Sequence, residues 1–95
     1  MECKSIVWRR HALERMLERG ISRAAIKQVI LNANVIEIYD NDQPFPSQLL
    51  YAMVNRVPLH VVVAYDGTAK ECYVVTAYSP TLEHFEDDFI TRKKQ

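Results

Sequence analysis

At 95 residues, 48% hydrophobic and 25% charged, the chain has the make-up of one small globular domain and lacks the length for a second. Its 12 basic and 12 acidic residues cancel, but unevenly: residues 1–30 hold seven basic against three acidic side chains, residues 31–91 hold two against nine, and Arg92, Lys93 and Lys94 restore the balance. No apolar run approaches the roughly 20 residues that span a bilayer, and MECKSIVWRR has no signal-peptide core, so a cytoplasmic protein without membrane contact is expected, with Cys3 and Cys72 as two reduced thiols.

From Arg9 to Arg19 the apolar residues Ala12, Leu13, Met16 and Leu17 recur at helical spacing, which predicts a first helix. Gly20 ends it in a left-handed turn, and Ile21 folds back on it. Ser22 then caps a second helix over about Arg23 to Leu31, with Ala25, Ile26, Val29 and Ile30 inward. The pattern changes to strands after NAN. VIEIYD alternates, with Ile36 and Ile38 on one side and Val35, Glu37 and Tyr39 on the other. DNDQPFPS is a polar, proline-bearing loop that cannot continue a ladder. QLLYAMV, LHVVVAY and ECYVVTAY are strand-like runs, and their short links, NRVP and DGTAK, imply antiparallel meander pairing. Thr76 and Tyr78 end the last run on one side, while Tyr73 turns to the other. After Pro80, TLEHFEDDFITRKKQ reads as a short acidic helix with Leu82, Phe85 and Phe89 inward and a frayed basic end. The expected fold is a single α+β domain over 1–95. Two N-terminal helices (1–31) pack on one face of a four-stranded antiparallel sheet (34–79), followed by the acidic C-terminal segment (81–95).

His11, Arg15 and Arg19 stand at i, i+4 and i+8 and so form one row along the first helix. Such a row can clamp a phosphate and carry a proton near neutral pH. It is equally the solvated side of an amphipathic helix, tied to Glu14 and Glu18 by local ion pairs. His60, inside PLHVVVAY, must hydrogen-bond in the core or face a cleft. Glu37 reads either as a general base, or orienter of one, or as an outward strand residue. Tyr78, at the end of a strand, can stack on a base or donate a proton, although some of the five tyrosines must simply pack. Ser47 has no histidine–acid pattern to activate it. The histidines at 11, 60 and 84 form no metal-ligand spacing, and Gly20 and Gly67 make no phosphate loop, so neither a metal nor a nucleotide cofactor is expected.

RHALERMLERGIS, VIEIYD, PFPSQLL, RVPLHVVVAYD and VVTAY, in this order over about residues 5–82, resemble the bacterial family of domain of unknown function 4258. That family is grouped with the ribonuclease toxins of RelE, barnase and colicin E5 type. The resemblance implies a RelE-like fold and a metal-independent endoribonuclease, the toxin half of a toxin–antitoxin pair. Attack of a 2′-hydroxyl on the adjacent phosphate needs a base, cations on the phosphate and an acid for the 5′-oxygen. The resemblance implies His11 or His60 for proton transfer, Arg15 for the phosphate, Glu37 for orienting or accepting the proton, and Tyr78 for stacking or acid assistance. Arg9, Arg10, Arg19 and Arg23 would contact RNA, free or ribosome-bound. A cognate antitoxin would be the protein partner, with a homodimer as the other assembly. His11, Arg15 and at least one of Glu37 or His60 are then expected to converge on one cleft. The alternative is a non-catalytic interaction module, or an inactive relative of the toxins. Ribosome-dependent toxins are strongly basic, so the neutral charge and a pI near 6.8 point to a free-RNA substrate or to lost activity, and they fit the interaction module.

Overall fold

The computed structural model describes residues 2–32 and 34–93, so Lys94 of the expected basic tail lies outside the described residues. In chain order the elements are β1 (Ser5–Trp8), α1 (Arg10–Arg19), α2 (Arg23–Asn32), β2 (Val35–Tyr39), β3 (Ser47–Val54), β4 (Val57–Asp66) and β5 (Glu71–Tyr78). The class is α+β with two helices, as expected. The sheet, however, has five strands in the order β1-β5-β4-β3-β2, and it is mixed, because β1 runs parallel to β5. Residues 5–8, expected with the helices, are a strand. Four residues carry too little alternation to announce a strand, and Ser5 pairs with Glu71, 66 positions away. The same pairing carries Cys3 to Cys72, and the two form a disulfide. The reduced thiols read from their isolation in sequence are thereby corrected.

The helical corner follows its sequence signals. Gly20 takes φ 66°, and the Ile21 N–H donates to the Met16 carbonyl at 2.9 Å, closing α1 with a left-handed cap. The Ser22 hydroxyl accepts the Ala25 N–H at 3.1 Å and starts α2. Asn55 and Arg56, both at positive φ, make the two-residue turn between β3 and β4. Asp66 accepts the Thr68 and Ala69 N–H groups and shapes the bend before β5.

Alternation assigns the two faces of the sheet. Leu50, Ala52, Val54, Leu59, Val61, Val63, Cys72, Val74 and Ala77 meet Ala12, Met16, Ile26, Val29 and Ile30 in the core between sheet and helices. The opposite face carries Ser47, Leu49 and Tyr51 from β3, His60, Val62 and Ala64 from β4, and Tyr73, Thr76 and Tyr78 from β5. A bulge pairs Val62 with Thr76 but Val63 with Val74. It therefore returns Tyr73 to the face of Thr76 and Tyr78, against the strict alternation expected for ECYVVTAY. A second bulge in β2 sets Glu37 opposite Leu49 and Tyr39 opposite Ser47. Glu37 and Tyr39 thus face the His60 side, while Ile38, expected inward, is 59% exposed.

Residues 80–93 form turns, not the expected helix. Asp88 accepts the Ile90 and Thr91 N–H groups, competing with a helical ladder, and Phe89 sits at φ 60°. The segment doubles back on itself through a Phe85–Arg92 bridge and lies over the His60 face, with Phe85 buried as expected and Leu82 exposed. Among the described residues no helix is long and apolar enough to cross a membrane.

A candidate active site beneath the C-terminal segment

His60 is fully buried in mid-strand, with its ring edge-on to Tyr51 and to Phe85. Both ring nitrogens are used. Nε2 lies 2.6 Å from the Phe89 carbonyl oxygen, which can only accept, so Nε2 carries a proton. Nδ1, 3.2 Å from the Tyr78 hydroxyl, then accepts from it in the neutral ring. Burial holds the His60 pKa below its usual 6.5, an effect only partly offset by the Phe89 bond, which favours the protonated ring. Burial also raises the Tyr78 phenol.

Glu37 completes the cluster from β2. It accepts Arg92 Nε at 2.8 Å, and the Tyr39 hydroxyl donates to its second oxygen. The Arg92 bond, then the Tyr39 bond, hold its carboxyl below the usual range. Tyr39 is raised in turn, by burial first and then by the Glu37 carboxylate. Glu37 and His60 share this face of the sheet, each in contact with residues 80–93, Glu37 through Arg92 and His60 through Phe89. Arg92 also lies 5.2 Å from the centre of the Phe85 ring. A neutral imidazole with a defined proton, an ionised carboxylate and two phenols thus share one face under a cover of aromatic side chains. Chemically, this set can accept and deliver protons.

The structure does not bring His11 and Arg15 into that set. Both are on α1, which packs on the opposite side of the sheet; Glu37 bonds to Tyr39 and Arg92, and His60 to Phe89 and Tyr78. His11 is exposed, and Arg15 pairs with Glu18 at 3.0 Å, the local ion pair of an amphipathic helix. Arg10 is similarly engaged with Glu14. Arg19 donates to the Ala77 carbonyl at 2.7 Å, on the stretch of β5 beyond the reach of β1, and is a structural clasp. Arg23 lies against Trp8. Arg9 alone among these arginines turns to the His60 side, its guanidinium 5.2 Å from the centre of the Tyr73 ring, which stacks on Phe45.

Tyr39, Arg92 and the covering segment were not identified from sequence. The alternation of VIEIY did place Tyr39 with Glu37, but nothing local signals that Arg92 reaches a strand 55 residues earlier. A cleft of about 230 Å³ between the Gly20 corner and the β3–β4 turn, lined by Arg19, Ser22, Asn55 and Ser79 among others, contains none of the cluster. Among the described residues no group of three His, Cys, Asp or Glu side chains could hold a metal ion.

Compared with known proteins, residues 8–79 match the model of a family described as a domain of unknown function, DUF4258. No curated protein and no solved structure matches the chain.

Proposed function

This chain belongs to the DUF4258 family, a domain of unknown function, and we propose that its chemistry is metal-independent RNA cleavage at the Glu37–His60–Tyr78 face. The observation that carries the reading is His60: a buried, neutral imidazole with Tyr78 on one nitrogen, on the sheet face that Glu37 shares. In this reading Glu37 takes the proton of a 2′-hydroxyl as its oxygen attacks the adjacent phosphorus. The bond from phosphorus to the 5′-oxygen breaks, and that oxygen takes the Nε2 proton of His60 while the Tyr78 proton passes to Nδ1. Glu37 then loses its proton to water, Nδ1 returns its proton to Tyr78, and Nε2 takes one from water. The products are a 2′,3′-cyclic phosphate and a free 5′-hydroxyl. Arg9, beside the Tyr73–Phe45 stack, supplies positive charge and aromatic surface for the flanking nucleotides.

This reading replaces the convergence of His11 and Arg15 with that of Glu37, His60 and Tyr78. It gives the protein free or ribosome-bound RNA as substrate and a cognate antitoxin as partner. A second reading, a non-catalytic interaction module, has its own support in β2, an edge strand with Val35 and Ile38 exposed. To that edge a partner chain or a second copy could add a strand.

RNA cleavage by the purified protein in EDTA separates the two. The expected result is cyclic-phosphate ends, with a loss of about 10²-fold or more in His60→Gln. Folded protein that cleaves neither free RNA nor ribosome-bound RNA in a translation extract, with residues 80–93 seated or displaced, would sink the ribonuclease reading in favour of the interaction module.

A further inference from the structure

We propose that residues 80–93 are a built-in plug, seated where RNA would bind and displaced before substrate reaches His60; this rests on the ribonuclease reading above. The segment lies beyond the 8–79 stretch matched by the family, whereas Glu37, His60 and Tyr78 lie within it. It is also a self-contained unit. Glu86 donates to the Thr91 carbonyl, Lys93 to His84 and Phe89 to Glu86, and Asp88 ties down Ile90 and Thr91. Among the described residues its hydrogen bonds to the rest of the molecule are two contacts, Phe89 to His60 and Arg92 to Glu37. A unit held in this way can leave with its own backbone bonds intact.

Its contacts imitate those of a nucleotide. The Phe89 carbonyl oxygen receives the Nε2 proton of His60, as a phosphate or ribose oxygen would. The Phe85 ring sits 4.7 Å from the imidazole, centre to centre, where a base could pack. Arg92 occupies the Glu37 carboxylate, the group that would take a 2′-hydroxyl proton. With the segment seated, His60 and Phe85 are buried and a nucleotide has no route to the imidazole. Outside, Glu83, Glu86, Asp87 and Asp88 are all exposed, and this acidic surface repels a polyanion.

The test uses the full chain carrying Phe85→Ala and Arg92→Ala, which removes the ring and the ion pair and leaves Glu37, His60 and Tyr78 intact. Three quantities are measured beside wild type: amide exchange over residues 84–93 with the NMR titration of His60, binding of a 2′-O-methyl RNA oligonucleotide, and cleavage of the unmodified one in EDTA. The expected result is faster exchange, a His60 pKa moved up toward 6.5, and at least tenfold tighter binding and faster cleavage. A segment that still shields His60 after losing both anchors is integral packing, and the proposal is overturned. Opening with no change in an RNA cleavage that wild type already performs also overturns the plug and leaves the ribonuclease reading standing. Opening with neither protein binding or cleaving RNA removes the ribonuclease reading, and the plug falls with it.

Discussion

A buried imidazole that donates to a carbonyl and accepts from a phenol has no place for a second proton. Protonating His60 would turn Nδ1 into a donor aimed at the Tyr78 hydroxyl and put a charge in a fully buried ring. Its folded pKa lies below the unfolded value near 6.5, so the unfolded chain binds more protons between those two values, and stability falls as pH drops below about 6.5 toward the folded pKa. Glu37, whose folded pKa is also depressed, contributes at higher pH and is lost in a separate, more acidic window below the usual carboxylate range. Urea unfolding at pH 7.5 and pH 5.5 should therefore show a clear loss for wild type and a flatter response for His60→Gln; equal slopes would refute it. Tyr78→Phe leaves Nδ1 without its donor inside an apolar site. It should cost about 1–3 kcal/mol of stability in denaturant titration, besides the activity expected to go with the proton path.

At the scale of elements, the corner between α1 and α2 is the part most completely written in local chemistry. Gly20 is at φ 66°, and a Cβ built there meets nothing within 4 Å. Gly20→Ala should therefore cost about 1 kcal/mol through backbone conformation alone, without a steric contribution; thermal unfolding measures it, and a much larger loss would mean that the corner is packed. The helices, that corner and the three long strands were all legible in the sequence because their signals sit within a few residues: apolar period, glycine, serine cap, short links. What was not legible depends on partners far along the chain. SIVW becomes a strand only because β5 exists, and a bulge at residues 74–76 reverses the side taken by Tyr73 without any glycine or proline to mark it. Within the candidate site, alternation placed Glu37 and Tyr39 on one side, and the polar imidazole in an apolar run singled out His60. Tyr78 was visible as a strand-end phenol. The row on α1 misled because helical spacing says which side chains align, not which layer of the fold they face.

For the molecule as a whole, the Cys3–Cys72 disulfide encloses 69 residues of sequence separation and ties the sheet's edge strand to its neighbour. A loop of that length corresponds to about 4 kcal/mol of chain entropy removed from the unfolded state. Reductant should lower the urea midpoint of wild type and leave Cys3→Ser unchanged; an equal response of the two would place the reductant's effect elsewhere. Cys3→Ser is the informative variant because Cys3 is only half-buried, whereas Cys72 lies in the core. The β1–β5 pairing also has a consequence for the order of events during translation. The ribosome makes β1 first among the strands and β5 last, with α1 and β1 waiting for the partner that covers them both. Until Glu71–Tyr78 has emerged, the apolar stripe of α1 has no sheet beneath it, and His60 has neither Tyr78 nor its cover. A nascent chain therefore displays hydrophobic surface but no assembled proton-transfer group. Any reactivity at this face begins only when the last strand pairs with β4 and brings Tyr78 to His60.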